Sequence, residues 1–190
     1  MKALLRAGSW SVRSNEGWDS MRCTKRKLLV SVLLTVTLIG WGQKKDSAQA
    51  LNKEIILRSE AELWNRGNLA AADKLYSPGY VSHFPAGIEW RGLQGIKNAV
   101  SSHRTSFPDW HEIVDDIVAE GDRVAIRITS SGTQRGEFMG LPPSGRKVII
   151  QEFHIFRLEN GRIAEQWGMP DLQGLLAQLH APRADGKPAR

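Results

Sequence analysis

Glu152 and His154 stand two residues apart in Lys147–Arg157, the longest stretch with strand character. Residues two apart in a strand point to one face, so this pair shares a face with Val148, Ile150 and Phe156. Ile149, Gln151, Phe153 and Ile155 take the other face. In a pocket, the histidine could protonate or orient a carbonyl oxygen while the glutamate holds its tautomer. On a solvated face the same two residues are an ordinary polar pair. His83 closes the short alternating run Tyr80-Val81-Ser82-His83, where it can contact a ligand or anchor the loop that follows. His103 falls at helical spacing with Leu93, Ile96 and Val100, which reads as packing. Asp171, between Pro170 and Leu172, has the position of a helix N-cap.

Other chemistries lack their residues. Cys23 is the only cysteine, so residues 51–190 have no disulfide, thiolate nucleophile or sulfur-ligated metal. His111-Glu112 lacks the second histidine of a zinc-binding H-E-x-x-H, and no Asp, Glu or His cluster has metal-ligand spacing. No glycine-rich loop follows a strand, which argues against nucleotide binding. The formal charge of +6 suggests an anionic partner, but residues 1–50 hold nine Lys/Arg against three Asp/Glu, and residues 51–190 hold 17 of each. The neutral part has no basic stripe for a phosphate backbone.

Helical spacing covers Leu51–Arg66, Leu69–Leu75 and Gly92–Phe107, each closed by Gly, Asn or Pro signals. The period then changes to two. Trp110–Glu120, Val124–Thr129, Lys147–Arg157 and Ile163–Met169 read as strands, with turns at Gly121-Asp122 and Glu159-Asn160-Gly161 and a Gly/Pro loop over Gly136–Gly145. Asp171–Leu179 is a closing helix. Helices followed by a run of antiparallel strands predict an α+β domain with helices packed on one side of a curved sheet. About 130 residues can bury a core and still enclose a cavity.

Ahead of this domain, Arg22, Lys25, Arg26 and Lys27 precede the uncharged 14-residue run Leu28–Trp41, and Ala48-Gln49-Ala50 follows. That order is the order of a secretory signal peptide, and the run is short of the ~20 apolar residues a spanning helix needs. The expected organisation is an N-terminal extension and signal over 1–50, with Met21 a candidate true start, a domain over 51–180, and a disordered tail over 181–190. The product is expected to be exported, periplasmic or secreted. An uncleaved anchor is the competing reading.

The domain's local motifs fall in one order: Leu63-Trp64-Asn65-Arg66-Gly67-Asn68-Leu69, Tyr80-Val81-Ser82-His83, Phe107-Pro108-Asp109, the loop GEFMGLPPSG over Gly136–Gly145, then HIFRLENGRIAEQW over His154–Trp167 and Asp171-Leu172-Gln173-Gly174. Together they resemble the SnoaL-like polyketide cyclase (ester cyclase) family of the nuclear transport factor 2-like superfamily. The resemblance implies a cone-shaped α+β barrel: three N-terminal helices on a strongly curved, mostly antiparallel sheet, with a short C-terminal helix. It implies cofactor-free acid/base chemistry, an aldol cyclisation or isomerisation of a small carbonyl compound, with Asp171 as the base and His154 and His83 as partners. Trp167, Glu152, Trp64, Trp110 and Phe138 would contact this substrate, with no metal. A homodimer is implied too, with Ile149, Phe153 and Ile155 as candidate contacts; no nucleic acid or stable membrane partner is expected. The sequence departs from the family at Gln166, where histidine is common and glutamine transfers no proton. A non-catalytic small-molecule-binding domain of the same fold is the alternative.

Overall fold

The computed structural model describes residues 46–181. The cationic cluster, the apolar run, Met21 and the tail beyond Ala181 lie outside the described residues. Helix α1 covers residues 46–65 and so begins ahead of residue 51, with Ala48-Gln49-Ala50 in its first turns. Its last part, Ser59–Asn65, widens into a π-helical turn. A 3-10 turn leads into the four-residue α2 (Ala72–Leu75), and β1 (Tyr76–His83) starts four residues earlier than the alternation suggested. Helix α3 (Gly92–Ser106), β2 (His111–Glu120), β3 (Arg123–Thr133), β4 (Lys147–Glu159), β5 (Arg162–Pro170) and α4 (Leu172–His180) follow.

The strands form one curved sheet in the order β1-β5-β4-β3-β2. Only β1 and β5 are parallel. Register shifts in β2 near Val114–Asp116 and between β4 and β5 at Arg157–Leu158 interrupt the ladders, and such bulges bend a sheet. This is the expected α+β architecture, with the helices on the concave face.

Alternation along β4 decides what faces what. Val148, Ile150, Glu152, His154, Phe156 and Leu158 are buried, while Ile149, Phe153 and Ile155 are exposed. The face that packs on the helices is also the face that carries the polar pair; the other is open to solvent. The buried side chains form two apolar clusters. One gathers Ile56, Leu63, Tyr76, Ile96, Val100, Ile126 and Phe156 between α1, α3 and the sheet. The second joins Phe107, Trp110, Val148 and Ile150 to Leu175 and Leu179 of α4. Where β5 stops at Pro170, Gln178 of α4 takes over its pairing role: Ile149 N–H donates to Gln178 Oε1 at 2.9 Å, and Gln178 Nε2 donates to Ile149 O at 2.8 Å.

The Leu63–Leu69 motif joins α1 to the sheet. Asn65 acts as a strand residue would: its Nδ2 donates to Glu112 O at 2.9 Å, and Glu112 N–H donates to Asn65 Oδ1 at 2.7 Å. Arg104 of α3 donates to the carbonyls of Trp64 (2.9 Å), Asn65 (3.2 Å) and Pro108 (3.0 Å), tying the end of α1 to the start of β2. Gly67, at φ +68°, completes the turn, and a Cβ there would meet Arg104 Nε at 2.8 Å. Hydrogen bonds from a charged donor contribute about 1.5–3 kcal/mol. Arg104→Ala is therefore expected to lose about 2 kcal/mol, seen as a lower urea midpoint with an unchanged slope. An unchanged midpoint would refute this clamp.

Candidate active site

Between the two apolar clusters lies a cavity of about 300 Å³. Its walls are mainly aromatic and aliphatic: Trp64, Phe84, Trp90, Trp110, Phe138 and Phe156, with Ile128, Ile150, Leu172 and Leu175. The Gly136–Gly145 loop supplies Phe138 and Met139. It is pinned by Gln134, whose Nε2 donates to Leu141 O (3.2 Å) and whose Oε1 accepts from Ser144 Oγ (2.6 Å). Ile88 and Met139, both lining residues and both exposed, stand at the rim.

Five titratable side chains reach into this apolar space: Glu60, His103, Glu112, Glu152 and His154. No lysine or arginine lines it. The three glutamates are only 4%, 8% and 8% exposed. Burial strongly disfavours a charge that lacks a partner, so the hydrogen bonds decide which of them ionise.

Glu152 keeps its charge. Burial works to raise its pKa, but the hydrogen bond with His154 outweighs that and holds it below the usual value. His154 Nε2 lies 3.3 Å from Glu152 Oε2, and its Nδ1 lies 2.8 Å from Gln166 Nε2. Tyr80 O–H donates to Gln166 Oε1 at 2.5 Å, which turns the amide nitrogen toward the imidazole. Nδ1 is then an acceptor, so the neutral ring carries its proton on Nε2, facing Glu152. Gly168 lets the ring sit there, since a Cβ would meet Phe84 Cε1 at 2.2 Å and His154 Nδ1 at 2.9 Å.

Glu60 and Glu112 behave in the opposite way. No lysine or arginine lies beside them, and the Glu152 charge opposes their ionisation. Trp110 Nε1 donates to Glu112 Oε1 at 2.8 Å, and the buried Oε2 has no hydrogen-bond partner. Burial, then the charge of Glu60, push Glu112 well above the usual carboxylate range. Burial, with a smaller contribution from the Glu152 charge, raises Glu60 to about 7. His103, held among Trp64, Phe107, Trp110 and Phe138, is pushed down by burial to about 4 and is neutral. Its Nε2 is buried without a partner.

Of the residues singled out in the sequence, His154, Glu152, Trp64, Trp110 and Phe138 come together in this cavity. Asp171, His83 and Trp167 do not line it. Asp171 is exposed, and its Oδ1 accepts from Gly174 N–H at 2.8 Å as the N-cap of α4. A solvated cap has neither the desolvation nor the direction that a base for this cavity needs. His83 and Trp167 stack on each other on the outer side of the sheet, with ring centroids 5.5 Å apart. There His83 meets Glu165 (2.9 Å) and Glu89 (3.4 Å), and Arg123 lies over the Trp167 ring. Alternation explains both: Ser82 and Gln166 point inward, so their neighbours point out. The sequence reading missed Glu60 and Glu112, took His103 for packing, and saw Gln166 only as a loss.

Residues 54–179 match the sequence profile of the SnoaL-like polyketide cyclase family. The chain belongs to this family. Among curated relatives, it is 27% identical over 126 residues to the nogalonic acid methyl ester cyclase of Streptomyces nogalater, covering 64% of this chain and 92% of that protein. Among solved structures, a SnoaL-like polyketide cyclase from Jannaschia sp. CCS1 superposes with a TM-score of 0.66 at 27% identity, covering 70% of this chain and 94% of that one. AclR from Streptomyces galilaeus, described as a hydroxylase, gives a TM-score of 0.62 at 33% identity, with 69% and 96% covered. Chains of this fold thus carry more than one named activity, and the site itself has to argue the reaction.

The raised Glu60 pKa makes stability depend on pH. Between about 4.5, its unfolded value, and about 7, the folded chain holds a proton that the unfolded chain has lost. Stability from this group therefore falls as pH rises through that window. Glu60→Gln removes the dependence, so the variant is expected to gain about 3 kcal/mol on wild type between pH 4.5 and 7.5 in urea unfolding. A constant difference across that range would show Glu60 to be normally ionised.

Proposed function

We propose that this chain catalyses cofactor-free acid/base chemistry on an uncharged carbonyl compound, an aldol ring closure or an isomerisation through an enolate. Glu152 is the proton acceptor, and His154 holds and orients it. The carrying observation is Glu152, hydrogen-bonded to His154, inside an apolar cavity without lysine or arginine. A substrate with a free carboxylate would meet Glu152 with no counter-charge, so an ester or ketone suits the walls better than an acid. Glu152 takes the proton from a carbon next to a carbonyl and leaves an enolate. The enolate carbon bonds to a second carbonyl carbon, and that oxygen recovers the proton from Glu152. Nothing is added or lost, which is the balance of an isomerising ring closure. A carboxylate need not be strongly basic for such a step when the enolate oxygen is stabilised.

The test needs no native substrate. The C1 protons of 2-tetralone, an uncharged bicyclic ketone, exchange with D2O through the same enolisation and can be followed by proton NMR. Wild-type chain is expected to accelerate exchange over buffer. Glu152→Gln should lose about 10²-fold or more of that acceleration, while Asp171→Asn keeps it. Exchange in Glu152→Gln equal to wild type would remove Glu152 from the role, and no acceleration by wild type would favour a binding domain.

The signal-like leader supports export, and the exposed Ile149, Phe153, Ile155 and Met169 support a homodimer through the outer sheet face. N-terminal sequencing of the exported chain should begin near Leu51, and its sedimentation should give twice the protomer mass. A chain that keeps Arg22–Lys27, or sediments as a monomer, would count against the respective half.

A further inference from the structure

The proposed reaction uses one of the three buried glutamates; the other two have no part in it so far. We propose that Glu60 is the carboxyl that donates the hydrogen bond to the substrate's carbonyl oxygen and stabilises the enolate, with Glu112 positioning it from behind. This rests on the reading of a carbonyl substrate.

The geometry carries it. Glu60 lies on the π-helical turn of α1 and lines the cavity together with Trp64 four residues on. π-turns shift a helix face locally and are common at functional sites. Glu112 enters from β2, its backbone fixed by the Asn65 clamp and its Oε1 by Trp110. With that oxygen occupied and Oε2 buried, Glu112 stands beside Glu60 as a second neutral carboxyl. Glu60 itself is buried and lines a cavity without lysine or arginine, so a ligand in that cavity is where its proton can be offered. Every other ionisable group that faces the pair works toward the same state. Glu152 on β4 adds negative charge, Tyr76 on β1 and His103 on α3 are neutral, and α4 and the Phe138 loop bring only apolar side chains to the cavity. Were both carboxyls mere structural fillers, an apolar pair would fill the space without the cost of their burial.

The chemistry is complementary to the base. As Glu152 takes the carbon-bound proton, its negative charge reappears on the substrate oxygen. A neutral carboxyl already aimed at that oxygen needs no reorganisation to stabilise it, and a buried acid kept protonated near neutral pH is a known way to supply such a donor. The Glu60 proton stays between the two oxygens throughout, so the pair ends each turnover as it began. An acid with a pKa near 7 is also close to the optimum for donation at neutral pH.

Two readouts test this on the full chain. In protein labelled with carbon-13 at the glutamate carboxyls, the Glu60 signal, assigned by its loss in Glu60→Gln, should titrate near pH 7. A Glu60 signal fully ionised at pH 6 overturns the proposal, and this measurement on wild type holds even if a variant folds poorly. In the 2-tetralone exchange assay, wild-type rate should fall as pH rises above about 7, because the donor form is lost. Glu60→Gln, whose amide donates without titrating, should be about 10–10²-fold slower and flat over that range. Glu112→Gln should move the midpoint of the fall, as befits a positioning residue. An unchanged rate and profile in Glu60→Gln, with Glu152→Gln inactive, would overturn the donor and leave the acceptor standing. The opposite pattern would remove the acceptor and leave the donor.

Discussion

Three carboxyl groups share one apolar chamber that contains no lysine or arginine, and they cannot all be ionised there. The rest of the site follows from how the fold divides them. Glu152 receives a hydrogen bond from His154 and remains an anion. Glu60 and Glu112 have no cation beside them and remain acids. The two outcomes reinforce one another, because the Glu152 charge makes it harder for the other two to lose their protons. A base and an acid of the same residue type are thereby kept apart by environment alone, which is how a single chemistry of side chain serves both halves of an enolisation.

The scaffold bears the cost of this arrangement at the end of α1. A carboxyl on a buried helix face is destabilising, and the π-turn that presents it breaks the regular hydrogen-bond ladder. Asn65 and Arg104 answer that locally: one gives the helix end a strand-like pairing with β2, and the other donates to four carbonyls, two at the end of α1 and two in the segment that leads from α3 into β2. The same clamp fixes the backbone of Glu112. The residues that stabilise the fold here are therefore those that set the acid pair, and the Leu63–Leu69 motif serves both purposes. The divided core belongs to the same logic, since a single continuous core would leave no chamber for the carboxyls to line.

Strand and helix types, the α+β class and the division of β4 into two faces were legible because each is a matter of period. That Glu152 and His154 share a face followed from that period, and burial in the structure shows this face to be the inward one. Asp171 misled for an instructive reason: the sequence marks both a cap and a candidate base with the same residue after proline, and only exposure separates them. His83 misled by one position of strand phase, which a run of four residues does not fix, and Trp167 misled through its nearness to Asp171. Glu60 and Glu112 were in principle readable. Ile56, Glu60, Leu63 and Trp64 lie on one helical stripe, and Trp110, Glu112 and Val114 alternate on one strand face. In each case a carboxylate interrupts an apolar pattern. A polar residue at a position that the period assigns to the core is the signal, and it is easily passed over as noise in the pattern.

Gln166 takes on a different meaning in this light. Set against a family in which histidine is common at that position, it reads as the loss of a proton carrier. In the structure its two ends are distinct and both are used: the oxygen accepts from Tyr80, a phenol that burial keeps protonated, and the nitrogen faces His154. An imidazole there could present either a donor or an acceptor to His154, and the proton on His154 could then sit on either nitrogen. The amide, fixed by Tyr80, leaves one arrangement, with the His154 proton on the side of Glu152. Basicity is thereby concentrated on the carboxylate instead of being spread over two rings. The departure at Gln166 and the assignment of Glu152 as proton acceptor are one feature seen from its two ends.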